Sequence, residues 1–348
     1  MMLENIILTE KDKNFITCDV NENVYLNNIR QLNPDEYVEI EIDGNKIKVL
    51  SQLLFSVFMG AHCNSKCPFC FNKILFTNKN TKHAFFENKI PADEFVKRFD
   101  SVYNQLKAQL DLKPFIMLTG GEPVINPLFV PFTQHLLEKR IRYDLLTNGT
   151  VLDAEYEGKS LLDIMAPNCG GMQISRVHYD DDINQKIMNL QKKVTNDTIF
   201  KAVEKMHKIF NSPYHVGISC MLLKEGIHTI NDIKKFIETY LPLNLSVIVF
   251  RQMVNIFEYT SDGKNDIEGT YDEIKEELEK DPDFRLDHVK NINGYYNYNY
   301  WYKEKYPICF SVPSSKEEMY LDNKICDHID LYPDGKVYYS NFYSLPVK

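Results

Sequence analysis

Residues 53–70 read LLFSVFMGAHCNSKCPFC, an apolar run that ends at a glycine and passes almost at once into three cysteines, Cys63, Cys67 and Cys70. A short apolar run of this kind predicts a strand buried in a parallel sheet, with the cysteine loop at its C-terminal end. The spacing Cys-x-x-x-Cys-x-x-Cys sets three thiolates on one loop. Such a set can hold three corners of a cubic iron-sulfur cluster, and it leaves the fourth iron open to bind a substrate or cofactor. Structural zinc, with His62 or His83 as a fourth ligand, is the rival reading. It fits less well, because structural zinc sites draw ligands in pairs from separated knuckles, whereas these cysteines share residues 63–70. A disulfide reading leaves an odd thiol.

Working outward, the 348 residues are 44% hydrophobic and can bury a large core. A formal charge of −9 argues against affinity founded on nucleic-acid phosphates. The opening MMLENIILTEKDKN carries no secretory pattern, and no window reaches membrane-spanning length, so a cytoplasmic enzyme is expected. The other five cysteines, Cys18, Cys169, Cys220, Cys309 and Cys326, are far apart and read as reduced thiols.

YVEIEIDGNKIKVL (37–50) alternates about Asp43-Gly44 and predicts a β-hairpin, an N-terminal cap over residues 1–50. Strands follow at LLFSVFMG (53–60), PFIMLTG, RYDLLTNG, GMQISR (171–176), HVGISCMLL (215–223) and LSVIVFRQM (245–253). Between them, Phe95, Phe99, Val102, Leu106 and Leu110 mark one helix, PLFVPFTQHLLEK another, and 196–211 and 230–240 two more. Six β-then-α units imply a right-handed parallel sheet, a partial (β/α)6 TIM-like barrel over residues 51–255, with a C-terminal α+β appendix at 256–348. Loops after the strand C-termini build the site in such barrels. The cysteine loop, Gly120-Gly121-Glu122-Pro123, Thr147-Asn148-Gly149 and Ser175-Arg176 each follow a predicted strand and so converge on one rim.

The triplet, Phe69 just before its last cysteine, and Gly120-Gly121-Glu122-Pro123 together resemble the radical S-adenosylmethionine (radical SAM) superfamily, over roughly residues 50–255. The resemblance implies one 4Fe-4S cluster on Cys63, Cys67 and Cys70, with S-adenosylmethionine on the open iron. It further implies reductive cleavage to a 5'-deoxyadenosyl radical that abstracts hydrogen from a substrate. It also implies that the Gly120–Pro123 run meets the methionine amino group, with Glu122 as a suitably charged carboxylate, and that Ser175 lies near the cofactor's ribose or carboxylate. The glycine pair suits close backbone approach to a ligand.

Further candidates come from the residues. Asn148 sits on the same rim. RVHYDDDINQK reads as a polar rim loop whose Arg176, His178, Asn184 and Lys186 can reach cofactor or substrate. His178 is the candidate acid or base. Ser219 and Met221 share one face of the fifth strand, Cys220 and Leu222 the other. We place the adenine against the strand of Ser219 and Met221, beside Phe69. Arg251, within VIVFRQM, needs a partner if it faces inward, which a cofactor or substrate carboxylate can supply, and is the second catalytic candidate.

In the tail, TYDEIKEELEK reads as a scaffold helix. GYYNYNYWY (294–302) either stacks on a flat substrate or packs at the barrel mouth. ICDHIDLYPDGKVYYSNF predicts a hairpin about Pro333-Asp334-Gly335. It resembles the Twitch or SPASM appendix of some radical SAM enzymes, but Ser340 stands where those with a second cluster tend to have cysteine. One cluster and a substrate-capping tail are therefore expected. The substrate reads as a ribosomal peptide or natural-product precursor, alternatively a small metabolite or nucleotide; a non-enzymatic metal site or iron-sulfur sensor is the remaining alternative. A reducing flavodoxin or ferredoxin is the expected electron donor.

Overall fold

Along residues 115–119 and 143–147 buried side chains alternate with half-buried ones, and this parity gives the sheet its two faces. The computed structural model describes residues 37–70, 72, 89–110, 114–210, 216–253, 269–292, 295–313 and 326–340. Most of the expected N-terminal cap (1–36), Cys18, His83 and residues 254–268 lie outside the described residues.

The hairpin is present. Strand β1 (Tyr37–Ile42) pairs antiparallel with β2 (Asn45–Phe58) about Asp43 and Gly44. Both turn residues have positive φ, 51° and 81°, as the tight turn requires. The expected gap between hairpin and first barrel strand is corrected: β2 serves both, running without a break into the cysteine loop.

The parallel series then continues through α1 (Ala92–Gln109), β3 (Phe115–Thr119), α2 (Phe129–Glu138) and β4 (Tyr143–Thr147). A two-residue ribbon, β5 (Glu155–Tyr156) and β6 (Lys159–Ser160), leads into α3 (Leu161–Met165). After them come β7 (Cys169–Ser175), α4 (Asp181–Met188), α5 (Asn196–Phe210), β8 (Val216–Met221), α6 (Ile230–Tyr240) and β9 (Val247–Arg251). Strands β2, β3, β4, β7, β8 and β9 lie side by side, all parallel, as six β-then-α units demand.

The tail is built into this same sheet. Helix α7 (Asp272–Lys280) precedes β10 (Phe284–Ile292), β11 (Tyr295–Tyr302) and β12 (Tyr306–Pro313), an antiparallel meander whose last strand lies parallel beside β9. Strand β13 (Cys326–Leu331) lies parallel beside β2 at the other side, and turns at Gly335 into β14 (Val337–Ser340).

Helices cover the outer face. One rung there runs Ile174, Ile218, Ile248 and Ile308, all buried. Phe55 stacks on Phe99 of α1 at 5.6 Å, and Phe250 meets Phe236 of α6 at 5.5 Å. Burying these rings and branched side chains supplies the main stabilisation, about 1.5–3 kcal/mol for each large side chain. The adjacent inner rung is different: Ser175, Ser219, Val249, Cys309 and Asn299. A sheet that packed protein on both faces would be apolar on both. On this one the inner face mixes such polar positions with the half-buried Leu54, Met117, Leu146 and Met221.

The aromatic tail segment divides by the same parity. Tyr298 and Tyr300 lie against Tyr271, by ring stacking (4.4 Å) and by a hydroxyl bond (2.7 Å), while Asn297, Asn299 and Trp301 belong to the inner face. No helix among the described residues is long and apolar enough to cross a membrane.

Candidate active site

The cysteine loop leaves the end of β2 and meets the end of β3 through the backbone. Gly121 N donates to Gly60 O and Glu122 N to His62 O, both at 2.8 Å. The glycine pair makes that junction physically possible. A Cβ on Gly120 (φ 133°) would fall 2.6 Å from Gly60 O, and one on Gly121 would fall 2.0 Å from His62 O. The backbone that the glycines admit here is that of the cysteine loop itself. Asn72 donates its side-chain amide to Gly120 O. Pro123 is buried and opens a short 3-10 turn, Pro123–Ile125.

Glu122 is buried, and both carboxylate oxygens are engaged: Thr147 Oγ1 donates to Oε1 (2.8 Å) and Asn148 N to Oε2 (2.7 Å). Desolvation outweighs these bonds and raises its pKa to about 7. Asn148 in turn holds the cysteine loop, its Nδ2 donating to Asn64 Oδ1 (2.9 Å) and lying 3.9 Å from Cys63 Sγ. Asn64 Nδ2 donates to Thr150 Oγ1 at 2.7 Å. On its other side the loop is tied to the end of α4: Ser65 Oγ donates to Met188 O (2.7 Å), Lys66 N to Asn189 O (3.2 Å) and Gln191 N to Asn64 O (2.9 Å). Asn64, Ser65, Thr150 and Asn189 were not singled out from sequence. Only Asn189, at φ 49°, leaves a readable signal, that of a left-handed helix C-cap.

Cys63 is exposed, and Cys67 and Cys70 are half-buried. Burial, reinforced by the charges of the other two cysteines, pushes the Cys67 thiol up to about 11. Burial also raises Cys63, with Glu122 and Cys70 adding to the rise. A set of thiolates that repel one another is stabilised by a cationic centre. Among the described residues no three His, Cys, Asp or Glu side chains are grouped as ligands of one ion. A cube of four irons asks for something else, one thiolate on each of three irons. Cys63, Cys67 and Cys70, close enough for their charges to act on one another, supply a donor set that fits such a cluster. Phe69, half-buried, packs on the core beside it.

Several rim candidates are corrected. The stretch read as a rim loop is helix α4, because Asp180 caps it by accepting from Asp182 N (2.9 Å) and Ile183 N (3.0 Å). Arg176 follows Ser175 by one residue and so falls on the outer face, fully buried. Its guanidinium donates to Tyr240 OH (2.8 Å), Val194 O (2.7 Å), Asn196 Oδ1 (3.0 Å) and the Asp181 carboxylate. Asn184 is buried and accepts from Val177 N (2.9 Å), and Lys186 is exposed on α4. His178 Nδ1 accepts from Asp180 N (2.9 Å) and helps form the turn before α4; burial lowers its pKa. Ser175, Ser219, Met221 and Arg251 do share the inner face, with Ser219 Oγ bonded to Arg251 Nε at 2.9 Å.

A parallel α/β barrel sheet, with a three-cysteine loop and a Gly-Gly-Glu-Pro turn locked together on its C-terminal rim, defines an enzyme of the partial-barrel class. The family model described as Radical SAM superfamily matches residues 57–237, more than half of the chain, and the chain belongs to that superfamily. Its members use a 4Fe-4S cluster and S-adenosylmethionine. Among solved structures, SuiB of Streptococcus suis bound to S-adenosylmethionine is similar at TM-score 0.52 and 14% identity, over 83% of this chain and 60% of that one. A radical SAM methyltransferase of Sphaerobacter thermophilus is similar at TM-score 0.44 and 14% identity, over 69% and 64%. The chain thus spans about three-fifths of the SuiB length. No curated protein matches it.

Proposed function

We propose that Cys63, Cys67 and Cys70 hold the 4Fe-4S cluster and that the inner face of the sheet holds an organic substrate, a ribosomal peptide or natural-product precursor, for hydrogen abstraction. The observation that carries this reading is the double backbone bond from Gly121 and Glu122 to Gly60 and His62, which fixes the cysteine loop and the Gly120–Pro123 turn as one unit. When bound, the cluster and S-adenosylmethionine supply one-electron chemistry that yields a hydrogen-abstracting radical. The chain's own part is placement. Asn64 and Ser65 anchor the loop from two sides, and Asn148 supports Cys63. Gly120 and the half-buried Ser175 and Met221 border the space where the cofactor's polar groups belong, and the buried outer core keeps water from beneath it. Inner-face amides at Gln173, Asn297 and Asn299 suit a substrate rich in amide groups. A reducing flavodoxin or ferredoxin supplies the electron.

The test is anaerobic reconstitution followed by S-adenosylmethionine and dithionite. Formation of 5'-deoxyadenosine is expected, and Cys67→Ala should abolish iron loading and cleavage together. Cleavage retained in that variant would refute the ligand assignment.

A further inference from the structure

Arg251 stands on the inner face, and none of the ion pairs among the described residues includes it. It ends β9, level with Met221 on β8 and Ser311 on β12. Its side chain leans back across the sheet, Nε donating to Ser219 Oγ (2.9 Å) and Nη2 to Gln173 Oε1 (3.1 Å). Both acceptors are neutral. A guanidinium carries five N–H donors, so most of its capacity is unused, and among the described residues no carboxylate forms an ion pair with it. Asp144 on β4 and Asp330 on β13 share this face but stand three and six strands away in the sheet, Asp330 at 3.7 Å from His328.

Arg176 shows what this fold does with an arginine that serves structure: it seals it on the outer face against an acid and three neutral acceptors. Arg251 is instead steered by two neutral groups and kept unneutralised, in a chain whose net charge is −9. Its neighbours Ser311, Cys309 and Asn297 are neutral, with Cys309 Sγ 3.7 Å from Asn297 Oδ1. A half-buried charge without a partner is costly, and the planar fork fits a carboxylate in a bidentate way.

We propose that Arg251 binds a carboxylate of the substrate, so that the molecule acted on is an acid. This rests on the inner face being the substrate chamber and narrows its occupant.

Calorimetric titration of the reconstituted protein with matched probes tests it: hippurate against hippuramide for a small acid, and an acetylated tetrapeptide acid against its C-terminal amide for a peptide. At least one acid should bind about tenfold or more tightly than its amide, since a charge-assisted bond is at stake. Which acid does so tells a small molecule from a peptide. The preference should vanish in Arg251→Gln and persist in part in Arg251→Lys, which keeps the charge but not the fork. Equal binding of acid and amide by the wild type, absence of binding by either, or a preference that survives Arg251→Gln overturns the proposal. So does a loss of S-adenosylmethionine binding in that variant with the acid preference intact, which would assign Arg251 to the cofactor. If Arg251→Gln melts below the assay temperature, an undiminished preference in Arg251→Lys is the overturning result. Failure of the wild type to form 5'-deoxyadenosine would sink the radical reading and leave these titrations standing.

Discussion

At the scale of single residues, Glu122 shows how burial overrides a motif's obvious charge. Its carboxyl holds a proton up to about pH 7 in the fold, but only to about 4.3 in the unfolded chain. The folded state therefore binds the extra proton in that window, and the associated stability is full below it and lost as pH rises through it. Denaturant unfolding from pH 4 to 8 should show this decline, and Glu122→Gln should flatten it; an unchanged slope in the variant would contradict the assignment. Gly121 offers a sharper test. A methyl group there meets His62 O at 2.0 Å, so Gly121→Ala should retain the circular dichroism of the fold yet lose most of its iron on reconstitution. The open turn at Gly44, where a Cβ meets nothing within 4 Å, should cost only about 1 kcal/mol on the same substitution. The cysteines and Gly120–Pro123 were legible because their spacing is itself the signal. Arg176 and Asn184 were not, since a single step of strand parity and one Asp cap decide which way they face.

At the scale of elements, the site depends on pieces that local sequence describes well and on pairings that it does not. The helices at 92–109 and 230–240 follow from apolar spacing, and the hairpin from Asp43-Gly44. Helix α4 was hidden inside a polar run, and its C-terminal end turned out to anchor the cysteine loop through Met188 and Asn189. The hairpin at Pro333–Gly335 could be read, but not its place beside β2, because that pairing joins residues as distant in the chain as Val49 and Cys326. That place has an energetic consequence. Ile329 is fully buried in the main core, so Ile329→Ala should cost about 2–5 kcal/mol in denaturant unfolding. A loss below about 1 kcal/mol would mean that the tail is a loosely held cover.

At the scale of the whole molecule, a sheet apolar outside and mixed inside carries the cysteine loop on its rim and the Arg251 guanidinium on its inner wall. Cys309 on β12 and Cys326 on β13 are separated by six intervening strands, and Ser340 ends β14 opposite His328. On the proposed assignment, the electrons used in catalysis enter through Cys63, Cys67 and Cys70. The most direct measurement is electron paramagnetic resonance of the reconstituted, dithionite-reduced protein with and without S-adenosylmethionine. The account predicts one reduced 4Fe-4S signal, absent in Cys67→Ala, whose shape changes when S-adenosylmethionine binds the open iron. A signal indifferent to S-adenosylmethionine, or one that survives in Cys67→Ala, would contradict it.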